Sequence, residues 1–162
     1  MTTAARPLAV IDIDGVVADV RHRLRHVERA PKDWNAFFAA APGDSVLDDG
    51  IARVLSLAED HDIVFVTGRP ERCRADTERW LTAAGIGGWP VVMRGNADRR
   101  PAKQTKVQEV RSLASRSTVA VVVDDDPEVC AAMRAAGFPV EQAEWMTRPA
   151  ALGAAQEAEG RT

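Results

Sequence analysis

Four short stretches carry side chains whose types and spacing suit them to chemistry. They are Asp12-Ile13-Asp14-Gly15, Thr67-Gly68-Arg69-Pro70, the lysines at 103 and 106, and Asp124-Asp125-Asp126-Pro127. Asp12 and Asp14 stand two apart directly after the apolar run Leu8-Ala9-Val10-Ile11. On an extended chain the period-2 alternation points both carboxylates to one side. Neighbouring carboxylates are costly to bury unless a cation or several donors neutralise them, and an all-oxygen ligand set suits magnesium. Asp124, Asp125 and Asp126 follow a second apolar run and raise the same demand, because adjacent acids at the mouth of a buried strand repel one another. Thr67, the glycine beside it and a lysine are groups that receive an anion. An aspartate nucleophile, a cation and an anion cradle together are the parts of phosphoryl transfer.

Each stretch alone has an ordinary reading. Asp-x-Asp-Gly is a common solvated turn, Thr67 is a good helix cap, and a single lysine sits most often on a solvated helix face. Their combination is what argues for a site.

The elements that must bring them together follow from pattern. Leu8 to Ile11, Asp62 to Val66 and Ser117 to Val123 read as buried strands of a parallel sheet, with Val91 to Met93 and Phe138 to Val140 as shorter ones. In an open α/β sheet, ligands bind at the carboxyl ends of such strands, where the four stretches lie. Helical spacing marks Val20 to Val27, whose other face holds Arg21, Arg23 and Arg25, then Pro31 to Ala40 with Trp34, Phe37 and Phe38, and Asp48 to Asp60. Further helices are expected from Pro70 to about Ala84, from Ala102 to Ala114 and from Pro127 to Ala136. Only a small helical elaboration separates the first two long strands, so the site is expected to be open. From Thr147 onward the composition is Ala, Glu and Gly, which predicts a frayed tail.

A chain of 162 residues with 46% hydrophobic and 28% charged residues suits one globular domain. The net charge of −3 gives no global basic field for nucleic acid, although Arg94 to Arg111 forms a local basic segment. Cys73 and Cys130 show neither zinc spacing nor a disulfide framework, which fits a reducing cytoplasm. No apolar run has the length of a membrane span, the first residues lack the apolar core of a signal peptide, and no P-loop pattern of a kinase occurs. The expectation is a cytoplasmic protein with no membrane partner and no kinase domain in this chain.

The order of the four motifs resembles the haloacid dehalogenase (HAD) superfamily of aspartate-nucleophile phosphatases over roughly residues 8 to 145. The resemblance implies an α/β fold: a three-layer, Rossmann-like core with a central parallel sheet and a minimal helical cap insertion at about 20 to 45. The phosphatase domain would span 8 to 146, between an N-terminal tail of 1 to 7 and a flexible tail of 147 to 162. His22-Arg23-Leu24, Pro31-Lys32-Asp33-Trp34-Asn35-Ala36-Phe37-Phe38, Val64 to Pro70 and Val123-Asp124-Asp125 are similar to the 3′-phosphatase half of bacteriophage-type polynucleotide kinases. Two positions depart from that group, Ala102 where it often has an acid and Asp126 where it often has an arginine.

The resemblance implies Asp12 as nucleophile, Asp14 as general acid and base, and Thr67 with Lys106 on the phosphate oxygens, Lys103 remaining an alternative. Arg23, Gly68 and Arg69 would bind substrate. Mg2+ would be held by Asp12, the Asp14 main-chain carbonyl, Asp124 and Asp125. The implied substrate is a phosphorylated nucleic-acid end, above all a 3′-phosphate, or a nucleotide. A small-metabolite phosphatase and a non-catalytic phosphate- or partner-binding domain of the same fold stand as alternatives. Oligomeric state and action on 2′,3′-cyclic phosphates are not readable from the chain.

Overall fold

Short β-branched runs bounded by turns build the sheet, and amphipathic segments between them cover it. The computed structural model describes residues 5–160. In chain order its elements are β1 (Leu8–Ile11), β2 (Ala18–Asp19), α1 (Trp34–Ala39), β3 (Ser45–Val46), α2 (Asp48–Ala58), β4 (Asp62–Pro70), α3 (Arg74–Ala83), β5 (Val91–Arg94), α4 (Ala102–Ala114), β6 (Val119–Asp124), α5 (Pro127–Ala135), β7 (Val140–Gln142) and α6 (Ala150–Gly153). Of the expected tails, residues 1 to 4 and 161 to 162 lie outside the described residues.

Five strands pair in parallel in the order β5-β4-β1-β6-β7. The chain leaves β1 toward β4 and β5, then crosses to β6 and β7 on the other side. The strand order reverses at β1, and the crevice beyond the carboxyl ends there is where α/β sheets hold ligands. Strand alternation divides the core. Ala9, Ile11, Ile63 and Phe65 pack on one face with Val54 and Leu57 of α2 and Trp80 and Leu81 of α3. Val10, Val64, Val66 and Val122 face the other way, against Val110 of α4 and Val129 and Met133 of α5. The result is the three-layer α/β architecture with helices on both faces.

The insertion is small and has its own core. The antiparallel pair β2–β3 brackets it, with Ala18 opposite Val46. Val20, Leu24, Val27, Phe37 and Phe38 pack there with Cys73, Met93 and Met146. The Val20 to Val27 stretch is 3-10 rather than α-helical, over Arg21–His26, and buries Arg23 and Leu24 together. α1 starts later than the spacing predicts, because the Asp33 side chain accepts from the Ala36 amide and caps the helix there. The expected helix from Pro70 also starts late. Thr67-Gly68-Arg69 stays extended within β4, and Glu71–Cys73 makes a 3-10 turn before α3.

The C-terminal expectation fails over the described residues. Instead of fraying after Thr147, the chain forms α6 and a π-helical turn over Ala154–Ala158. Leu152 is fully buried within the insertion's core, and Ala155 and Gln156 are also buried. One leucine among small residues is enough to anchor a short segment, a signal that composition does not carry.

Gly50 marks the tightest packing near the first motif. A Cβ there would lie 1.8 Å from the Val16 carbonyl oxygen, which also accepts the Trp145 indole N–H at 2.8 Å. Gly50→Ala is expected to cost about 1–3 kcal/mol through forced backbone shifts. Urea unfolding measures this, and a parent-like midpoint contradicts the packing.

Candidate active site

β1 delivers Asp12, and the turn that follows delivers Asp14. The Asp12 amide donates to the Val123 carbonyl at 2.9 Å, which ties the end of β1 to β6. The Ile13 carbonyl then accepts from the amides of Val16, Val17 and Ala18 and closes the turn. Gly15 is required there twice over: its φ is +81°, and a Cβ would lie 2.2 Å from an Asp125 carboxylate oxygen. The turn therefore presses directly on the acids at the end of β6.

Asp12, Asp124 and Asp125 converge, with one ligand oxygen of each within 4.8 Å of the others. Lys106, from the first half of α4, reaches into this cluster. Its Nζ lies 2.7 Å from Asp124 Oδ2 and 2.9 Å from Asp12 Oδ2. Lys103, one turn earlier, is exposed and pairs with Glu128 instead. Burial works against the Lys106 charge, yet Asp12 and Asp124 hold its pKa above the usual lysine range. Burial also raises the Asp12 carboxyl well above its ordinary value; Lys106 opposes the shift, and the repulsion of Asp124 and Asp125 adds to it. Asp125 is pushed up to about 7 by burial and by Asp124, with Arg148 opposing.

The cluster fits a divalent cation. Among these carboxylate oxygens Asp125 Oδ1 is buried without a hydrogen-bond donor, and Asp12 Oδ2 has only the Lys106 ammonium 2.9 Å away. Acceptors left bare in a dry interior are costly, and a hard cation coordinated by oxygens satisfies them.

Arg23 and Arg69, expected as substrate ligands, lie in a buried ion network. Asp14 Oδ1 accepts from Arg23 Nη2 at 2.9 Å and from Arg69 Nε and Nη2 at 2.9 and 2.6 Å. Both guanidiniums also reach Asp44, with Arg23 Nε 2.9 Å from Oδ1 and Arg69 Nη2 2.9 Å from Oδ2. Two arginines against two aspartates neutralise each other, which lets all four be buried. The Phe37 ring supports Arg23, whose Cζ lies 4.4 Å from the ring centroid. Arg23 Nη1 alone keeps no acceptor.

Sequence reasoning passed over Asp44. Two buried arginines beside one aspartate demand a further acid, and that count was the available signal. It also passed over Arg148, whose Nη1 donates to Asp125 Oδ2 at 2.6 Å from beyond the expected end of the domain.

Thr67 Oγ1 accepts from the Arg69 amide at 3.2 Å and keeps its own proton for donation. The Gly68 carbonyl accepts from Arg94 Nε at 3.2 Å. The site is not open as expected. Asp12, Asp14, Thr67, Lys106, Asp124 and Asp125 are each at most 4% exposed. The insertion is small, but the folded C-terminal segment also reaches the acids, with Arg148 seated on Asp125.

Removing Asp44 leaves two buried guanidiniums with one carboxylate between them. Asp44→Ala is expected to lower the unfolding free energy by about 3–5 kcal/mol. Denaturant unfolding followed by circular dichroism checks this, and a loss under about 1 kcal/mol, the worth of an exposed pair, contradicts the network.

The site can now be set beside known proteins. No curated protein matches the chain in sequence. Among solved structures, one of the Pnkp1/Rnl/Hen1 RNA repair complex aligns with a TM-score of 0.66 at 20% identity, covering 88% of this chain and 44% of that one. A second structure of the Pnkp1/Rnl/Hen1 complex aligns with a TM-score of 0.68 at 21% identity, covering 86% and 46%. The chain thus spans less than half the length of either. A haloacid dehalogenase-like hydrolase from Streptococcus pneumoniae aligns with a TM-score of 0.61 at 10% identity over 93% of this chain and 90% of that one. At these identities the likeness shows the fold. The family evidence is separate: the model of the polynucleotide kinase PNKP phosphatase domain, a HAD-type domain, matches residues 7–145. The chain belongs to that family of HAD phosphatase domains.

Proposed function

We propose that this protein is a magnesium-dependent phosphomonoesterase that works through a phosphorylated Asp12 and removes 3′-phosphate from nucleic-acid ends or nucleotides. The observation that carries the reading is the convergence of buried Asp12, Asp124 and Asp125 on one point, with the Lys106 ammonium 2.9 Å from Asp12 Oδ2. Asp12, Asp124 and Asp125, with the Asp14 main-chain carbonyl, would hold Mg2+, which screens the repulsion between carboxylate and phosphate. A HAD family enzyme from Bacteroides thetaiotaomicron, similar in fold with a TM-score of 0.53 at 9% identity over 91% of this chain and 99% of that one, was solved with magnesium and inorganic phosphate.

In the proposed reaction a carboxylate oxygen of Asp12 attacks phosphorus, and the ester P–O bond breaks as the new P–O bond forms. Asp14 gives its proton to the departing oxygen, then takes one from the water that attacks the aspartyl-phosphate, releasing phosphate and restoring Asp12. Arg23 and Arg69 both donate to Oδ1 of Asp14 and hold its carboxyl group in place. Lys106 and the Thr67 hydroxyl donate to the non-bridging oxygens, where charge gathers in transfer. Arg23 Nη1, buried without an acceptor, is the substrate-directed donor of the arginine pair.

The nucleic-acid reading draws on a cleft of about 520 Å³ beside the insertion, lined by Trp34, Arg72 and Arg99. Phe37 and Phe38 stand edge to face with centroids 5.2 Å apart, one under Arg23 in the site and the other under Arg72 in the cleft. One aromatic layer thus separates buried Arg23 from the exposed Arg72. Guanidiniums beside an indole suit a phosphodiester and a base. Two similar structures belong to an RNA repair complex, which supports the same direction.

Asp12→Asn is expected to lower phosphate release from any phosphomonoester by at least about a thousandfold, as loss of a nucleophile does. Chelation of magnesium should abolish turnover, and readdition should restore it. Arg72→Ala combined with Arg99→Ala should raise KM for a 3′-phosphorylated oligonucleotide by about tenfold while leaving an aryl phosphate unaffected. Equal effects on both substrates, or none on the oligonucleotide, count against the nucleic-acid reading and leave the chemistry standing.

A further inference from the structure

We infer that residues 147 to 160 form a strap that closes the site, and that Arg148 is its latch: an internal cation seated on Asp125 that must leave before a phosphomonoester reaches Asp12. The inference rests on the proposed chemistry only for what passes beneath the strap. The family match covers residues 7–145, so the strap lies outside the matched stretch.

The strap touches each wall around the carboxyl end of the sheet. Arg148 Nη1 donates to Asp125 Oδ2 at 2.6 Å, and its Nη2 lies 3.7 Å from Asp126 Oδ1, both on the β6–α5 loop. Gln156, itself buried, accepts from Arg148 Nη2 and holds the guanidinium in place. Leu152 inserts into the insertion's core, and Glu159 pairs with Lys32 at the insertion's outer edge. On the far side Arg94 Nη1, from the end of β5, donates to the Gly160 carbonyl at 2.8 Å. With this cover in place Asp12, Lys106, Asp124 and Asp125 are each at most 3% exposed, so a phosphate group does not reach Asp12 in this arrangement. A substrate therefore needs the strap to lift.

The attachment suits release. The strap is a four-residue helix and one π-helical turn, its one large apolar anchor is Leu152, and the Lys32–Glu159 pair is about one-third exposed. Short segments with few apolar anchors open well below the cost of global unfolding. Arg148 and a divalent cation both call on Asp125, so each weakens the hold of the other, and this linkage is reciprocal. Cation binding at the acids would loosen the strap, coupling assembly of the site to its opening.

A covalent lock provides the test. Lys32→Cys with Glu159→Cys places two thiols across the strap's outer edge, and the native Cys73 and Cys130 are buried. The same doubly substituted protein is compared before and after bridging with a short thiol-to-thiol cross-linker. Bridging should slow aryl phosphate hydrolysis by at least about tenfold, a modest coupling for a closed gate. An unchanged rate overturns the strap. Calorimetric titration with magnesium gives a readout that needs no turnover. Arg148→Ala should tighten magnesium binding by about fivefold or more, within the usual range of such linkage. In the unsubstituted protein, magnesium should speed hydrogen exchange of amides 150 to 158. Unchanged magnesium affinity, or slowed exchange there, overturns the latch. If no form hydrolyses any phosphomonoester, the proposed function falls while these binding measurements still judge the latch.

Discussion

Mutual repulsion among carboxylates crowded at the ends of two neighbouring strands is the constraint to which the rest of the molecule answers. Asp12 at the end of β1 and Asp124 and Asp125 at the end of β6 are held within reach of one another by the parallel pairing of those strands. Such a cluster stays folded only because something positive sits among it. Lys106 supplies part of that charge from α4, and Arg148 supplies part from the C-terminal segment. Within the cluster, an oxygen of Asp125 keeps no donor and one of Asp12 faces only Lys106, and there a divalent cation gains most.

A second charge problem is solved alongside the first without a cation. Asp14 and Asp44 share Arg23 and Arg69 in a buried, electrically balanced square. Burial pushes the Asp44 carboxyl above its ordinary value and Asp14 adds to the shift, while the arginines pull it back. The Trp80 indole fixes the Asp44 carbonyl at 2.8 Å, so the square is anchored to α3 and the main core. The placement of the Asp14 side chain thus depends on residues from the insertion and from β4 rather than on its own turn alone. The two charge systems meet at Asp12-Ile13-Asp14, where one carboxylate joins the acid cluster and the other turns to the arginines.

What the sequence displayed was local. Apolar runs ending in Asp12, Thr67 and Asp124 announced strands and their functional ends, because strand burial and turn chemistry are written in adjacent residues. What it concealed was the pairing of charges far apart in the chain. Arg23 looked like a solvated or substrate-facing arginine until Asp44, 21 residues on, proved to be its partner. Arg148 was hidden in an Ala-rich stretch whose order depends on Leu152 finding a pocket in the insertion. The same contact explains why the site is covered, which no count of inserted residues could foretell. Lys103 and Lys106 were indistinguishable by composition; helix phase on the sheet decides between them, sending one inward and one to Glu128.

The claim on which the account stands is that Asp12 becomes phosphorylated. Turnover of a phosphomonoester with magnesium, stopped by rapid acid quench and reduced at once with borohydride, converts an aspartyl-phosphate to homoserine, which peptide mass analysis locates. The account predicts homoserine at position 12, dependent on substrate and absent when substrate is omitted. Hydrolysis that proceeds with Asp12 unmodified, or with the modification at another carboxylate, contradicts it.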